Sequence, residues 1–205
     1  MTYRLYNRRC SGGFVVEATL TLAETAFELV ELESELGTEL PDSFREINPW
    51  GQVPVLILPD GTTMTETAGI LIYLAAQFPN QKLAPAPGTL AYASFLRWTV
   101  FASVNVYEAV ARSSYPHRFS TDLAGRDAIG AAAAQRMREA LGIIEAHVEG
   151  PFLLGPDMSV ADIYIAMLYL WSGRQVAMPN LDAIIDQVQQ HSLVRPIWER
   201  HYGDW

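Results

Sequence analysis

Residues 81–88 separate two parts of the chain that differ in their sequence patterns. The segment contains two prolines and a glycine, which interrupt regular structure and are typical of a linker between domains. Before it, short strand-like and helix-like segments alternate, whereas the patterns after it are helical. The chain therefore predicts an α/β domain over residues 1–80, a linker over residues 81–88 and an all-helical domain over residues 89–205.

The first part predicts a mixed sheet with two helices. Pro59-Asp60-Gly61 is a turn signal between two strand-like runs, so we expect a hairpin there. Pro54 stands near the start of the first run, where a proline interferes least with strand pairing. The expected order is a strand at 3–6, a helix at 14–22, strands at 27–32, 53–58 and 62–64, and a helix from 65 to about 78.

The second part predicts helices and one well-defined helix start. Ser159 can cap the first backbone amides of its helix, and Asp162 can reach back to the Ser159 amide. This capping box indicates a helix start inside the core of the second domain. The expected helices cover 89–115, 122–149, 159–174 and 181–190, followed by a short helix from residue 192.

Charge and composition exclude several classes of function. The net charge is -9, which makes nucleic acid an unsuitable partner because phosphate binding needs a basic face. The longest apolar runs, around residues 69–76 and 163–171, are too short to cross a bilayer, so no membrane contact is expected. A single cysteine, Cys10, fits a reducing compartment, and we expect a cytoplasmic protein. The four histidines have no metal-ligand spacing and are interpreted as surface or structural residues, so no metal is expected.

Two segments have the chemistry to hold a small peptide with a free carboxylate. If the Val53-Pro54 bond is cis, the Val53 N–H and C=O are free to pair with an extended ligand backbone. Glu66 and Thr67 lie at a predicted helix N-terminus, where backbone amides and the helix dipole attract a carboxylate. The alternative interpretation is structural, with an ordinary strand start at Pro54 and an ordinary helix cap at Glu66.

Cys10 and Ser11 form a second candidate site in the loop before the first helix. A cysteine near a helix N-terminus can be activated as a thiolate nucleophile and form a mixed disulfide. The Ser11 hydroxyl could instead donate a hydrogen bond to the thiolate of a bound ligand and so stabilise it. The alternative interpretation is that Cys10 is a small buried residue and Ser11 a helix cap.

The sequence from Asn48 to Leu56, Asn-Pro-x-Gly-Gln-Val-Pro-x-Leu, is followed by the hairpin, by Glu-Thr and by Ile-x-x-Tyr-Leu. This pattern closely resembles the N-terminal domain of glutathione transferases. The resemblance implies a thioredoxin-like domain followed by an all-helical domain, glutathione as the bound cofactor and a homodimer. It also implies that glutathione is held by five residues, namely Gln52, Val53, Pro54, Glu66 and Thr67. Thr67 replaces the more common serine and keeps the hydroxyl.

The Cys10-Ser11 pair resembles the beta class of bacterial glutathione transferases, in which this loop activates the thiol. That class usually carries His and Lys on the first long helix of the second domain, whereas this chain has Tyr107 and Glu108. Tyr107 is therefore a candidate donor or substrate contact, or else a core tyrosine.

Three functions follow from the resemblance. The first is conjugation of glutathione to a small electrophile, with Ser11 as the expected thiolate donor. The second is glutathione-dependent thiol-disulfide exchange at Cys10. The third is a non-catalytic binding role, which some members of the family have.

Overall fold

A computed structural model of the chain describes residues 2–33 and 40–203. These residues form two compact units, the first made of the described parts of 1–83 and 189–205 and the second of 84–188. The division expected from the sequence follows the order of the chain, whereas contacts in space also join the last segment to the first unit. The last helix therefore belongs with the sheet.

The sheet of the first unit has four strands, β1 (Tyr3–Asn7), β2 (Phe27–Glu31), β3 (Val55–Ile57) and β4 (Thr63–Met64). Their order is β2-β1-β3-β4, with β1 parallel to β2, β3 antiparallel to β1, and β4 antiparallel to β3. Two parallel strands need a crossover, and helix α1 (Gly13–Leu22) provides it. Helix α2 (Thr67–Gln77) follows β4. The predicted hairpin and the mixed thioredoxin-like sheet are confirmed.

Helix α1 is buried along most of its length because the sheet and other helices pack around it. Its apolar side chains explain this, since Phe14, Val15 and Leu20 have no exposed surface. The last helix, α8 (Arg195–Tyr202), packs against α1, and the Phe14 ring meets three of its aromatic rings edge-on. This contact brings the end of the chain to the start of α1.

The second unit is helical, as predicted. Its helices are α3 (Leu90–Phe101), α4 (Glu108–Ser114), α5 (Leu123–Glu145), α6 (Val160–Trp171) and α7 (Pro179–Gln190), the last of which ends in the residues grouped with the first unit. A π-helical turn, Ala102–Tyr107, joins α3 to α4. The long helix expected over 89–115 is present as a continuous helical segment over 90–114, with this π-helical turn between α3 and α4. No helix in the described ranges has the length and hydropathy needed to cross a membrane.

The capping box at the start of α6 is confirmed and extends beyond the helix. Asp162 Oδ2 accepts hydrogen bonds from the Ser159 amide and hydroxyl, each at 2.8 Å. Asp162 Oδ1 accepts a third from the Leu153 amide at 2.7 Å, which ties the preceding loop to the helix. Burial raises the pKa of the Asp162 carboxyl, and these hydrogen bonds act in the opposite direction.

Candidate active site

The strand directions bring the candidate segments to one end of the sheet. Because β3 is antiparallel to β1 and Tyr6 pairs with Val55, the end of β1 lies beside the start of β3. Strand β4 is antiparallel to β3, so it ends on the same side as β1. The turn after β1, the segment before β3 and the start of α2 therefore lie at the same end. These segments carry Cys10 and Ser11, Gln52 to Pro54, and Glu66 and Thr67.

The segment before β3 offers an unpaired stretch of backbone. The Val53-Pro54 peptide bond is cis, Pro54 is buried and Val53 is half-buried. Among residues 2–33 and 40–203, no backbone hydrogen bond is found for the Val53 N–H or C=O. The buried Asn48 side chain supports the segment by donating to the Gln52 carbonyl at 2.7 Å. Val53 can therefore pair with an extended ligand as an added strand would.

The start of α2 offers a second group of donors. Glu66 is its N-cap residue, but the Glu66 side chain makes no capping hydrogen bond, and the first turn contains no acidic residue. The Ile70 amide donates the first hydrogen bond of the helix to the Glu66 carbonyl at 2.9 Å. Among the described residues the amides of Thr67 and Ala68 therefore remain available at the positive end of the helix, which is the arrangement that binds carboxylates.

Glu66 adopts a backbone conformation that is uncommon for a residue with a side chain. Its φ is 64°, in the left-handed region. Such a conformation costs of order 1–3 kcal/mol and is concentrated at functional sites. Glu66 is exposed, whereas Thr67 beside it is buried. The exposed side chain of Glu66 therefore belongs to the residue that immediately precedes the α2 N-terminus.

Cys10 is held by the last helix of the chain. Its φ is 55°, also in the left-handed region, and it is partly exposed. The Cys10 amide donates to His201 Nδ1 at 3.1 Å, and the Cys10 thiol donates to the His201 carbonyl oxygen at 2.7 Å. One residue of α8 thus contacts both the backbone and the side chain of Cys10.

Ser11 is buried and lies directly before Gly12, the N-cap residue of α1. Its hydroxyl donates to Asn7 Oδ1 at 2.9 Å and accepts the Gly13 amide at 3.2 Å. The hydroxyl proton is therefore occupied, and Ser11 must exchange Asn7 for a ligand before it can donate to a thiolate. The site roles expected for Cys10 and Ser11 stay predictions.

Behind Cys10 lies a buried polar cluster that the sequence interpretation missed. His201 Nε2 lies 3.3 Å from Glu17 Oε2, and both side chains are almost fully buried. Because Nδ1 accepts the Cys10 amide, a neutral His201 ring carries its proton on Nε2 and donates to Glu17. Arg200 forms an ion pair with the same Glu17 carboxylate. One signal was available in the sequence, since Glu17 interrupts the apolar run of α1 while Arg200 and His201 adjoin near the end of the chain.

Tyr107, the remaining candidate, lies in the second unit at the end of the π-helical turn. Its ring centroid is 5.5 Å from that of Trp171 and 6.4 Å from that of Tyr164, so it belongs to an aromatic cluster. Its neighbour Glu108 pairs with Arg112 one helical turn further on. Within the described ranges, no group of three or more His, Cys, Asp or Glu could hold a metal ion.

Comparison with known proteins identifies similar chains over almost the full length. The sequence model described as glutathione S-transferase, N-terminal domain, matches residues 10–77, which include Cys10, Ser11 and Gln52 to Thr67. The GST-like protein YncG of Escherichia coli K12 is 27% identical, over 93% of this chain and 94% of its own.

Two solved structures show the same architecture. The bacterial glutathione transferase BphK, in a ternary complex, superposes with a TM-score of 0.82 at 29% identity, covering 97% of this chain and 98% of its own. A sphingomonad glutathione S-transferase complexed with glutathione superposes with a TM-score of 0.80 at 26% identity, again covering 97% of this chain and 98% of its own.

Proposed function

Because the chain belongs to the glutathione transferase superfamily, we propose that it binds glutathione and transfers the glutathione thiolate to a small electrophile. One observation carries the proposal. The Val53 backbone and the α2 N-terminal amides, which have no hydrogen-bond partner in the described part of the chain, lie at the same end of the sheet as Cys10 and Ser11. Glutathione has an extended backbone, a free carboxylate and a thiol, so it offers one group to each of these features.

Each part of glutathione has a proposed contact. Val53 pairs with the backbone of the cysteinyl residue, between Gln52 on its exposed side and the buried Pro54. The α-carboxylate of the γ-glutamyl residue accepts from the Thr67 amide and hydroxyl, and the Glu66 carboxylate holds the neighbouring ammonium group. With these contacts the peptide would lie at the end of the sheet where β1 leads into Cys10 and Ser11.

The proposed chemistry is nucleophilic substitution by the bound thiolate. The glutathione thiol loses its proton to solvent, its sulfur forms a bond to the electrophilic carbon, and the leaving group departs with the bonding pair. The protein contributes positioning and a donor to the thiolate. Ser11 is the proposed donor, and Tyr107 is proposed to contact the electrophile or its leaving group.

The position of Cys10 favours a second candidate function, thiol-disulfide exchange. Cys10 precedes α1 and is partly exposed, which are the conditions under which a thiolate can act as nucleophile. The Cys10 thiolate would attack a glutathionylated substrate, form a mixed disulfide with glutathione, and release the substrate thiolate. A second glutathione would then attack this disulfide, giving oxidised glutathione and free Cys10.

We propose that the protein is a homodimer, as the superfamily resemblance implies, and that it is cytoplasmic, as expected from its single cysteine and short apolar runs. Sedimentation at micromolar concentration tests the dimer, and a monomer there would contradict it.

Isothermal titration of glutathione into wild type and Glu66→Ala tests the proposed binding site. We expect the variant to bind at least about tenfold more weakly, because a charge-assisted contact contributes roughly 1.5–3 kcal/mol. Glu46→Ala is the matched control, since Glu46 is an exposed acid in the same unit but outside the three candidate segments. Equal affinity of Glu66→Ala and wild type would contradict the site. If wild type does not bind glutathione and shows no activity in a panel of conjugation assays, the non-catalytic alternative is favoured.

A further inference from the structure

We propose that His201 is a positioning residue that sets the conformation of the Cys10-Ser11 turn, linking Glu17 on α1 to the backbone of Cys10. The proposed effect on conjugation rests on the proposed function, whereas the effect on the turn itself does not. His201 lies 191 positions from Cys10 in the sequence, yet it makes both of the hydrogen bonds described for Cys10 above.

The two contacts restrain different parts of Cys10. The amide contact to Nδ1 fixes the plane of the peptide that enters Cys10, and the thiol contact to the His201 carbonyl fixes the direction of the side chain. Cys10 adopts a left-handed φ of 55°, which a residue with a Cβ keeps only when its surroundings determine it. His201 supplies this restraint to both the backbone amide and the side chain of Cys10.

The orientation of the imidazole ring is itself determined by buried groups. His201 is 1% exposed and Glu17 is 4% exposed, and the Nε2–Oε2 distance is 3.3 Å. The rings of Phe14 and Tyr202 lie 5.4 and 5.8 Å from the imidazole centroid and limit its rotation. Arg200 balances the charge of Glu17, and this ion pair offsets the cost of burying the Glu17 carboxylate. The ring is therefore held with Nδ1 directed at the Cys10 amide.

This arrangement fits a positioning role better than a catalytic one. Nδ1 is occupied by a backbone amide and Nε2 by Glu17, so neither nitrogen is open to a substrate. The Cys10 thiol donates its proton to a carbonyl oxygen, and a thiolate would lose this contact. Loosening the ring should therefore free both the turn and the thiol, which changes the reactivity of Cys10 and the placement of Ser11 together.

Two substitutions separate the two sides of the ring. His201→Asn keeps an acceptor near the position of Nδ1 and loses the contact to Glu17. His201→Gln keeps a donor near the position of Nε2 and loses the acceptor for Cys10. The readout is the alkylation rate of Cys10 by iodoacetamide without glutathione, and it reports on one site because Cys10 is the only cysteine in the sequence.

We expect His201→Gln to be alkylated about three- to tenfold faster than wild type, which corresponds to the loss of one hydrogen bond. His201→Asn should be alkylated at a rate between those of wild type and His201→Gln, since it keeps that bond and loses only the support of Glu17. Conjugation should follow the same order, with kcat/KM reduced in the Gln variant and largely retained in the Asn variant. Equal alkylation of Gln variant and wild type, or equal changes in both variants, would overturn the proposal.

A measurement on wild type protects the test from variants that fail to fold. Long-range ¹H–¹⁵N correlation spectra of the imidazole should show a proton on Nε2 and an unprotonated, hydrogen-bonded Nδ1 at neutral pH. A proton on Nδ1 would mean that the Cys10 amide is not held, and the proposal would be wrong. If wild type does not bind glutathione, the proposed function fails while the alkylation and tautomer results still decide the role of His201.

Discussion

The Ser11 hydroxyl lies 2.9 Å from Asn7 Oδ1, inside the turn that joins β1 to α1. Asn7 is the last residue of β1 and is fully buried, and its Oδ1 also accepts the Arg8 amide at 2.7 Å. One side-chain oxygen therefore holds the strand end and the helix cap together. The Ser11 hydroxyl must therefore release Asn7 before it can donate a hydrogen bond to a glutathione thiolate.

Alanine substitutions at Ser11 and Cys10 distinguish the two proposed chemistries. If Ser11 donates to the glutathione thiolate, Ser11→Ala should reduce conjugation of an aryl halide on the order of 10²-fold, while Cys10→Ala retains much of it. Reduction of a mixed disulfide between glutathione and a substrate thiol should show the reverse order, with Cys10→Ala the more impaired variant. Both activities are measured in both variants, with a melting temperature for each because the Ser11 hydroxyl also accepts the Gly13 amide at the start of α1. Loss of conjugation in Cys10→Ala alone would contradict the role given to Ser11.

The sequence was sufficient for the elements whose signals are local. The hairpin was predicted because Pro59-Asp60-Gly61 encodes its turn, and its two strands pair as expected. The start of α6 was predicted because Ser159 and Asp162 are three residues apart and cap each other. In these cases the residues that determine the structure are neighbours along the chain.

Two features that the sequence did not reveal have no recognisable local signal. The π-helical turn at Ala102–Tyr107 changes the helical register within a segment whose composition is typical of any helix. The contact between His201 and Glu17 joins residues 184 positions apart, and no local pattern encodes it. The candidate site combines both cases: its segments were recognisable by sequence, while the support behind Cys10 was not.

Replacement of Gly13 by alanine should destabilise the first unit. A Cβ at Gly13 would lie 1.8 Å from Asn7 Oδ1, and Asn7 is buried and hydrogen-bonded, so it cannot move freely. We expect a loss of about 2 kcal/mol or more in the free energy of unfolding, as is typical of overpacking. Gly142→Ala in α5 is the matched control, because a Cβ there meets no atom within 4 Å outside its own helix. Chemical denaturation should show the control to be neutral or up to about 1 kcal/mol more stable.

Replacement of Glu24 by glycine should stabilise the protein. Glu24 ends α1 with a φ of 51°, and the Glu24 and Thr25 amides close the helix by bonding to the Thr21 and Leu20 carbonyls. Glycine adopts this conformation without a Cβ penalty, so we expect a gain of about 1 kcal/mol in the free energy of unfolding. The same exchange in the interior of α5, Glu139→Gly, should instead cost about 1 kcal/mol. Equal losses in both variants would show that the end of α1 does not require a left-handed residue.

Asp162→Asn should destabilise the second unit by an amount that depends on pH. The amide nitrogen of Asn must face either the Leu153 amide or the Ser159 amide, so at least one buried donor loses its acceptor, at a cost of about 1–3 kcal/mol. The pH dependence follows from the raised pKa of Asp162, for which burial is the largest cause. Below the ordinary value of 3.8 the carboxyl is protonated in both the folded and the unfolded state, and its contribution to stability is fully present. As the pH rises from there through the raised folded pKa, ionisation of the buried carboxyl removes that contribution.

The variant has no carboxyl at this position, so the difference in unfolding free energy between wild type and Asp162→Asn isolates this group from the other acids. We expect the difference to be largest below pH 3.8 and to shrink as the pH rises through the folded pKa of Asp162. Urea denaturation of both proteins across this range measures it directly. A difference that grows with pH would mean that the three hydrogen bonds to the carboxylate outweigh its burial, and that the folded pKa lies below the unfolded one.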